Sequence, residues 1–150
     1  MLVMNLRFDK FGYLQPQYEI SVEWQLLKTG FVDMFPASSS RSKLFEAYEA
    51  FSSDLLLLSG ESELHQYIDG SFISRKLEPN DMDVVNFIPN LVMEQHEIEL
   101  ATLKANYYAQ GVDSYYLVVY PEDHPRAPWT VSDRTRWQHL FGHVRVNAQG

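Results

Sequence analysis

The chain contains no cysteine among its 150 residues, which excludes disulfide bonds, thiolate metal sites and a thiol nucleophile. It also lacks any apolar run approaching the roughly 18 residues that span a bilayer, so no membrane partner is expected. Glycine and proline number only seven each, too few for a collagenous or low-complexity polymer. The first eight residues, interrupted by Asn5 and Arg7, do not resemble a secretory segment, which favours the cytoplasm.

Positive charge is scarce as well, because 12 lysines and arginines stand against 20 acidic residues, for a formal charge of −8. Such a field disfavours non-specific attraction to nucleic acid or anionic lipid, although it allows a local basic pocket for a nucleotide. Hydrophobic residues make up 45% of the chain and charged residues 21%, as in an ordinary globular protein. The length fits a single domain over residues 1–150.

Hydrophobic periodicity predicts two long helices. In the first, from Arg41 to about Leu57, apolar residues recur at three- and four-residue spacing, so this face is expected in the core: Leu44, Phe45, Tyr48, Phe51 and Leu55. The second is predicted from Asn90 to about Ala109, ended by Gly111. Its apolar stripe is expected to consist of Ile98, Ala101, Ala105 and Tyr108.

Three further segments, residues 64–68, 81–88 and 114–120, predict β-strands. The third is rich in tyrosine and valine, so it is expected to be buried on both faces. The first 36 residues are expected to be irregular or edge structure with a short helix capped by Ser21, and a last helix is predicted over 133–141. This order predicts an α+β domain with a short mixed β-sheet flanked by helices.

The residues suited to chemistry follow the first predicted strand. Gly70-Ser71 comes directly after it, and a residue without a side chain there lets backbone N–H groups approach an anion. Arg75 and Lys76 add positive charge shortly afterwards. Asp81 and Asp83 are one residue apart on the next strand, so their carboxylates should leave on one face.

Two carboxylates placed in this way repel each other unless a cation or a proton lies between them. Oxygen ligands suit Mg²⁺ (or Mn²⁺), which in pairs stabilise both oxygens of a phosphoryl or nucleotidyl transfer. Asp113, just before the last predicted strand, supplies a third carboxylate. It completes the cluster if that strand lies beside the strand that carries Asp81 and Asp83.

The spacing resembles the signature of the polymerase β-type nucleotidyltransferase superfamily, because Gly70-Ser71 and Asp81-Met82-Asp83 are separated by nine residues. The segments 12–16 and 137–142 resemble a small stand-alone branch, so the likeness runs from about Phe8 to Gly142. The resemblance implies the palm fold of that superfamily. It also implies Mg²⁺-dependent transfer of a nucleoside monophosphate from a nucleoside triphosphate to a hydroxyl of a protein, a small molecule or RNA.

The resemblance also assigns roles to residues of this chain. Gly70 and Ser71 would hold the triphosphate, and Asp81 and Asp83 would bind metal ions. Asp113 would join them and activate the attacking hydroxyl. Basic residues that meet the outgoing pyrophosphate would be Arg75 and Lys76. The resemblance further leads us to expect one more strand where the chain stops, so a final sheet element is expected to be missing.

Simpler interpretations remain open for each feature. Gly70-Ser71 and Asp113 could belong to ordinary turns, and Arg75-Lys76 could be a solvated loop pair. His139 and His143 have a spacing that can bind zinc, but packing or surface roles are favoured. For the whole protein, the alternatives are a catalytically inactive nucleotide-binding regulator or a homodimeric interaction protein. The resemblance permits a link to mobile elements or toxin–antitoxin-like systems.

Overall fold

The computed structural model describes residues 7–8, 10–12, 14–15, 20–130 and 144–149. Its strands are β1 (Arg7–Phe8), β2 (Leu14–Gln15), β3 (Ile20–Glu23), β4 (Glu63–Asp69), β5 (Met82–Pro89), β6 (Val112–Val119) and β7 (Val144–Gln149). Its main helices are α1 (Trp24–Lys28), α2 (Ser40–Ser59) and α3 (Asn90–Tyr108). A π-helical turn, Thr29–Asp33, follows α1, and a 3₁₀ turn, Gly70–Ile73, follows β4. Within these residues, no helix combines the length and the apolar character needed to cross a membrane.

Five strands form one mixed sheet in the order β3-β7-β4-β5-β6, and β1 and β2 form a separate antiparallel hairpin. β4 is antiparallel to both of its neighbours, whereas β5 and β6 run parallel, as do β3 and β7. The long crossover that a parallel pair needs is supplied by α3, between β5 and β6. The predicted α+β class with a short mixed sheet is confirmed.

The helices α2 and α3 pack on the same face of this sheet. Side chains alternate along a strand, and the alternation assigns Ile68, Val84 and Val112 to the main core beneath the helices. A smaller apolar cluster occupies the opposite face, formed by Tyr67, Val85, Phe87 and Leu117. Residues in register with that second set therefore project away from the helices.

The α2 helix confirms the periodicity argument. It spans Ser40–Ser59, close to the predicted bounds, and the five apolar residues of its predicted face are between 0% and 5% exposed. It ends at Gly60, whose left-handed backbone (φ 71°) lets its N–H bond to the Leu56 carbonyl at 3.0 Å. The helix stabilises the fold mainly through this buried face.

The predicted stripe of α3 is wrong. Ile98 is 80% exposed and Tyr108 is 65% exposed, and Ala101 and Ala105 are exposed too. The helix instead packs through a second apolar stripe at similar spacing, Leu100, Leu103 and Tyr107. The two stripes are equally periodic, so periodicity could not choose between them. The observed stripe consists of two leucines and a tyrosine, whereas two of the four residues in the predicted stripe are alanines. Burying the larger side chains removes more apolar area from water, which favours the observed stripe.

Two expectations near the sheet edges are also wrong. Ser21 does not cap a helix, because it lies in β3, opposite Arg145 of β7, and α1 begins at Trp24. One strand, β7, was not predicted from the sequence, and it lies between β3 and β4. β6 is an edge strand with Tyr115 exposed, so it is not buried on both faces. Several predictions fall outside the described residues: the helix over 133–141, the roles of His139 and His143, and the segment 137–142 that carries part of the resemblance.

A buried polar network ties α2 to three strands of the sheet. The Tyr48 hydroxyl donates to Gln66 Oε1 at 2.6 Å, and the Gln66 amide donates to Ser52 Oγ at 3.1 Å and to Asn86 Oδ1 at 2.9 Å. The Asn86 amide then donates to the carbonyl of Tyr115 at 3.1 Å. Buried polar groups favour one arrangement when they are satisfied, so this network helps to fix the register of β6 against β5.

Candidate active site

Three aspartates form a row across neighbouring strands on the face opposite the helices. Asp69, the last residue of β4, lies directly opposite Asp83 of β5, and Asp83 lies opposite Asp113 of β6. Directly opposed residues project to the same side of a sheet. The expected pairing of the strands that carry Asp83 and Asp113 is therefore confirmed.

The fourth acid of the group is Asp81, which is exposed and lies one residue before β5. It still acts electrostatically on Asp83, together with Asp113 and Asp69. The structure thus brings together the three aspartates expected from the sequence and adds Asp69, which is only 3% exposed. The sequence signal for Asp69 was its place just before Gly70, but spacing alone gave no reason to assign it a role.

Burial and like charge make Asp83 hard to ionise. Desolvation is the largest cause, followed by the charges of Asp81, Asp113 and Asp69, and together they raise the pKa of Asp83 from 3.8 to about 6. A carboxylate held in this way is expected to gain from a bound cation, which would neutralise the group. Strong perturbation by several like charges in one place is typical of functional sites.

The turn after β4 is shaped around the Asp83 carboxylate. Gly70 has φ of +79°, and a Cβ atom placed on it would lie 2.5 Å from Asp83 Oδ2. The missing side chain is therefore required twice, for the backbone conformation and for the contact. Ser71 follows, and its carbonyl accepts bonds from the Ser74 amide at 3.2 Å and the Ser74 hydroxyl at 2.7 Å.

Two residues that the sequence did not single out contact Asp113. The Tyr115 hydroxyl donates to Asp113 Oδ2 at 2.8 Å, and Lys104 Nζ lies 3.7 Å from Asp113 Oδ1. Lys104 also donates to the Ser114 carbonyl and lies 4.6 Å from the Tyr115 ring centroid. Burial, the bond to Asp113 and the nearby carboxylates raise the pKa of Tyr115 to about 12, so its hydroxyl keeps its proton.

Arg75 and Lys76, which were expected to contact the outgoing pyrophosphate, do not lie beside the aspartates. Arg75 and Lys76 are exposed, and among the described residues the charges that act on Asp83 are all carboxylates. Arg75 turns toward the N-terminal hairpin. Its guanidinium lies 5.5 Å from the centroid of the Phe8 ring, and its backbone N–H donates to the Gly12 carbonyl at 2.9 Å. Neither residue joins the aspartates in this arrangement.

The residues present fit a hard divalent cation by their chemistry. The donors are carboxylate oxygens, which Mg²⁺ and Mn²⁺ prefer, and Gly70 leaves open the space that a Cβ would fill beside Asp83. Among the described side chains, however, no group of three is already arranged as metal ligands. A bound cation would therefore have to draw the Asp81 and Asp113 carboxylates toward Asp83.

The raised pKa of Asp83 predicts how stability depends on pH without added metal. Between about pH 4 and about pH 6 the unfolded chain ionises this group while the folded chain keeps the proton. Raising the pH through this window therefore lowers the free energy of unfolding, and the loss is complete above about pH 6. Urea unfolding midpoints of wild type and Asp83→Asn, compared across this range, isolate the effect. Parallel curves for the two proteins would contradict the prediction.

The comparisons with known proteins identify one family. A family model described as a family of unknown function, DUF6932, matches residues 6–150. No curated protein and no solved structure matches the chain. The family match covers nearly the whole chain, including every residue of the candidate site.

Proposed function

Since the chain belongs to DUF6932, a family whose function is unknown, we propose an activity from the site itself: a metal-dependent nucleotidyltransferase. It transfers a nucleoside monophosphate from a nucleoside triphosphate to a hydroxyl group. The observation that carries the proposal is the Asp69–Asp83–Asp113 row, with the Gly70 turn packed against the Asp83 carboxylate. The spacing by which the sequence resembles polymerase β-type nucleotidyltransferases supports the same activity.

In this proposal, Asp81, Asp83 and Asp113 hold Mg²⁺ or Mn²⁺, and the backbone at Gly70 and Ser71 receives the triphosphate. The ion, when bound, offsets the negative charge of the phosphates. The protein contributes mainly position and electrostatics, as is usual for phosphoryl chemistry. Arg75 and Lys76 reach the outgoing pyrophosphate only if their exposed side chains turn toward it.

Asp113 is the proposed general base. It accepts the proton of the attacking hydroxyl, a new oxygen–phosphorus bond forms at the α-phosphate, and the bond to the departing pyrophosphate breaks. The Tyr115 hydroxyl donates to one oxygen of Asp113 and Lys104 lies 3.7 Å from the other, so these two side chains limit the positions that this base can take. The acceptor is a protein, a small molecule or RNA, and the net charge of −8 makes a long nucleic acid the least favoured of the three.

A second candidate is a nucleotide-binding regulator without turnover. The contact of Lys104 with Asp113 favours it, because an ammonium group at 3.7 Å takes part of the role that a second cation would have. A third, a homodimeric interaction protein, predicts no nucleotide binding. Both alternatives are separated from the enzyme by the experiment below.

The test uses each nucleoside triphosphate labelled on either the α- or the γ-phosphate, with Mg²⁺ or Mn²⁺ and cell lysate as the source of acceptors. Nucleotidyl transfer leaves the α-label on an acceptor and releases the γ-label as pyrophosphate. Calorimetric binding without any label transfer would favour the regulator. No binding heat with any of the triphosphates would reject both nucleotide proposals.

A further inference from the structure

Arg41 is a charged residue with no accessible surface, and its guanidinium donates hydrogen bonds to backbone carbonyls. It lies in the first turn of α2 and donates to Phe31 at 2.9 Å, Phe72 at 2.6 Å, Ser74 at 2.8 Å and Lys76 at 2.6 and 3.2 Å. Three of these four carbonyls belong to the segment just after Gly70-Ser71. A buried charge is stable only when its donors are satisfied in this way.

Aromatic rings enclose the same guanidinium. Its central carbon lies 4.0 Å from the Phe35 ring centroid and 5.2 Å from that of Phe72. Burial lowers the pKa of Arg41 to about 10, with the charge of Glu78 acting in the opposite direction. Arg41 therefore remains charged at neutral pH, and its fixed planar donors hold their acceptors in one geometry.

Glu78 attaches the far end of this segment to the same helix. Its carboxylate accepts from the Ser39 amide and hydroxyl, both at 2.7 Å, and from the Ser40 amide at 3.1 Å. These bonds lower the pKa of Glu78. Since Arg41 and Glu78 both act at the start of α2, residues 72–78 are held to the helix at both ends.

The carbonyl contacts have a consequence for the amides. In a trans peptide unit, the N–H points opposite to the C=O. Carbonyls of residues 72, 74 and 76 that point into the core at Arg41 therefore leave the N–H groups of residues 73, 75 and 77 directed the other way. The Arg75 N–H, in agreement with this, donates to an oxygen of the N-terminal hairpin, the Gly12 carbonyl at 2.9 Å. The segment is therefore held from both sides, by Arg41 through its carbonyls and by the hairpin through this amide.

We propose that Arg41 is a positioning residue: by fixing the 72–78 segment it fixes the Gly70-Ser71 turn directly before it, whose backbone receives the triphosphate, and Glu78 holds the other end of the segment. This inference rests on the proposed function, since it names what orients the phosphate-binding backbone of that site. Arg41 itself stays behind the segment and touches no substrate. A lysine in its place has one compact ammonium and cannot reach four separate carbonyls.

The test compares Arg41→Lys with Leu55→Ala, a matched control at the far end of α2 whose side chain is fully buried. Hydrogen exchange of residues 70–78 reports on the segment, and calorimetry with Mg²⁺ and tripolyphosphate, then with each nucleoside triphosphate, reports on binding. In Arg41→Lys the segment is expected to exchange faster, and affinity is expected to fall roughly tenfold or more, with KM affected more than kcat. Leu55→Ala should lower the melting temperature without either change.

The inference is overturned if Arg41→Lys matches Leu55→Ala in both exchange and affinity at similar loss of melting temperature. Should Arg41→Lys fail to fold, Glu78→Gln at the protein surface replaces it, and wild-type exchange and affinity in that variant overturn the proposal equally. A wild-type protein that binds no triphosphate rejects the proposed function, whereas the exchange measurement still decides whether Arg41 fixes the segment. The two failures are therefore distinguishable.

Discussion

Replacing Asp83 by asparagine is expected to lower the rate of nucleotidyl transfer strongly and, at neutral pH, to make the protein more stable. Asp83 is the acid on which three other carboxylates act, so its charge raises the free energy of the folded state when no cation is bound. Asparagine keeps the shape and removes that charge. Losing a central ligand is expected to lower the transfer rate by a factor on the order of 100 or more.

The measurement combines the α-label assay with the midpoint of urea unfolding. Glu97→Gln serves as the control, because it removes an exposed carboxylate on α3 and should leave both quantities close to those of wild type. Opposite signs for activity and stability would mark a group retained for function at the expense of stability. A loss of activity accompanied by a loss of stability would instead point to a structural role, and unchanged transfer would reject Asp83 as a ligand.

Much of the fold was predictable from local pattern. The apolar residues on one face of α2 repeat regularly over about three turns, so its core residues followed directly. The strand that carries Asp83 and the strand that follows Asp113 were both visible as short apolar segments, and the chain between them was long enough for a helical crossover. The sequence left open whether these two strands pair, and their parallel pairing in the structure completes the row of acids.

The remaining features depend on contacts between distant segments. β3 is a strand because β7, more than 120 residues later, pairs with it, and no local propensity reports such a partner. Arg41 reads as an ordinary polar residue at a helix start, since its acceptors are backbone carbonyls that any sequence possesses. The contact of Lys104 with Asp113 could not be predicted for a similar reason, because it depends on how α3 packs over β6.

The candidate site concentrates negative charge in one place. Four aspartates meet at one end of the sheet in a chain that already carries a charge of −8, and the Lys104 ammonium lies at the edge of that group. Asn86 and Gln66 meanwhile hold the strands in register from the opposite face. The polar network beneath the helices therefore keeps these strands in register although the carboxylates on the other face repel one another.

Replacing Gly70 by alanine is expected to disrupt the site nearly as much as the loss of Asp83. The new Cβ would lie 2.5 Å from Asp83 Oδ2, so the carboxylate must move, and transfer is expected to fall roughly 10- to 100-fold because catalytic geometry tolerates little displacement. The left-handed backbone at this position (φ +79°) adds a loss of about 1–2 kcal/mol in stability for any residue with a side chain.

Gly60→Ala separates these two contributions. Gly60 has a similar backbone angle, φ +71°, but an added Cβ there meets no atom within 4 Å. Both variants should therefore lose a comparable free energy of unfolding from backbone strain, whereas only Gly70→Ala should lose transfer and weaken the response to Mg²⁺. Wild-type activity in both variants would show that the turn after β4 does not set the position of Asp83. The same loss of activity in both would show that activity follows stability alone.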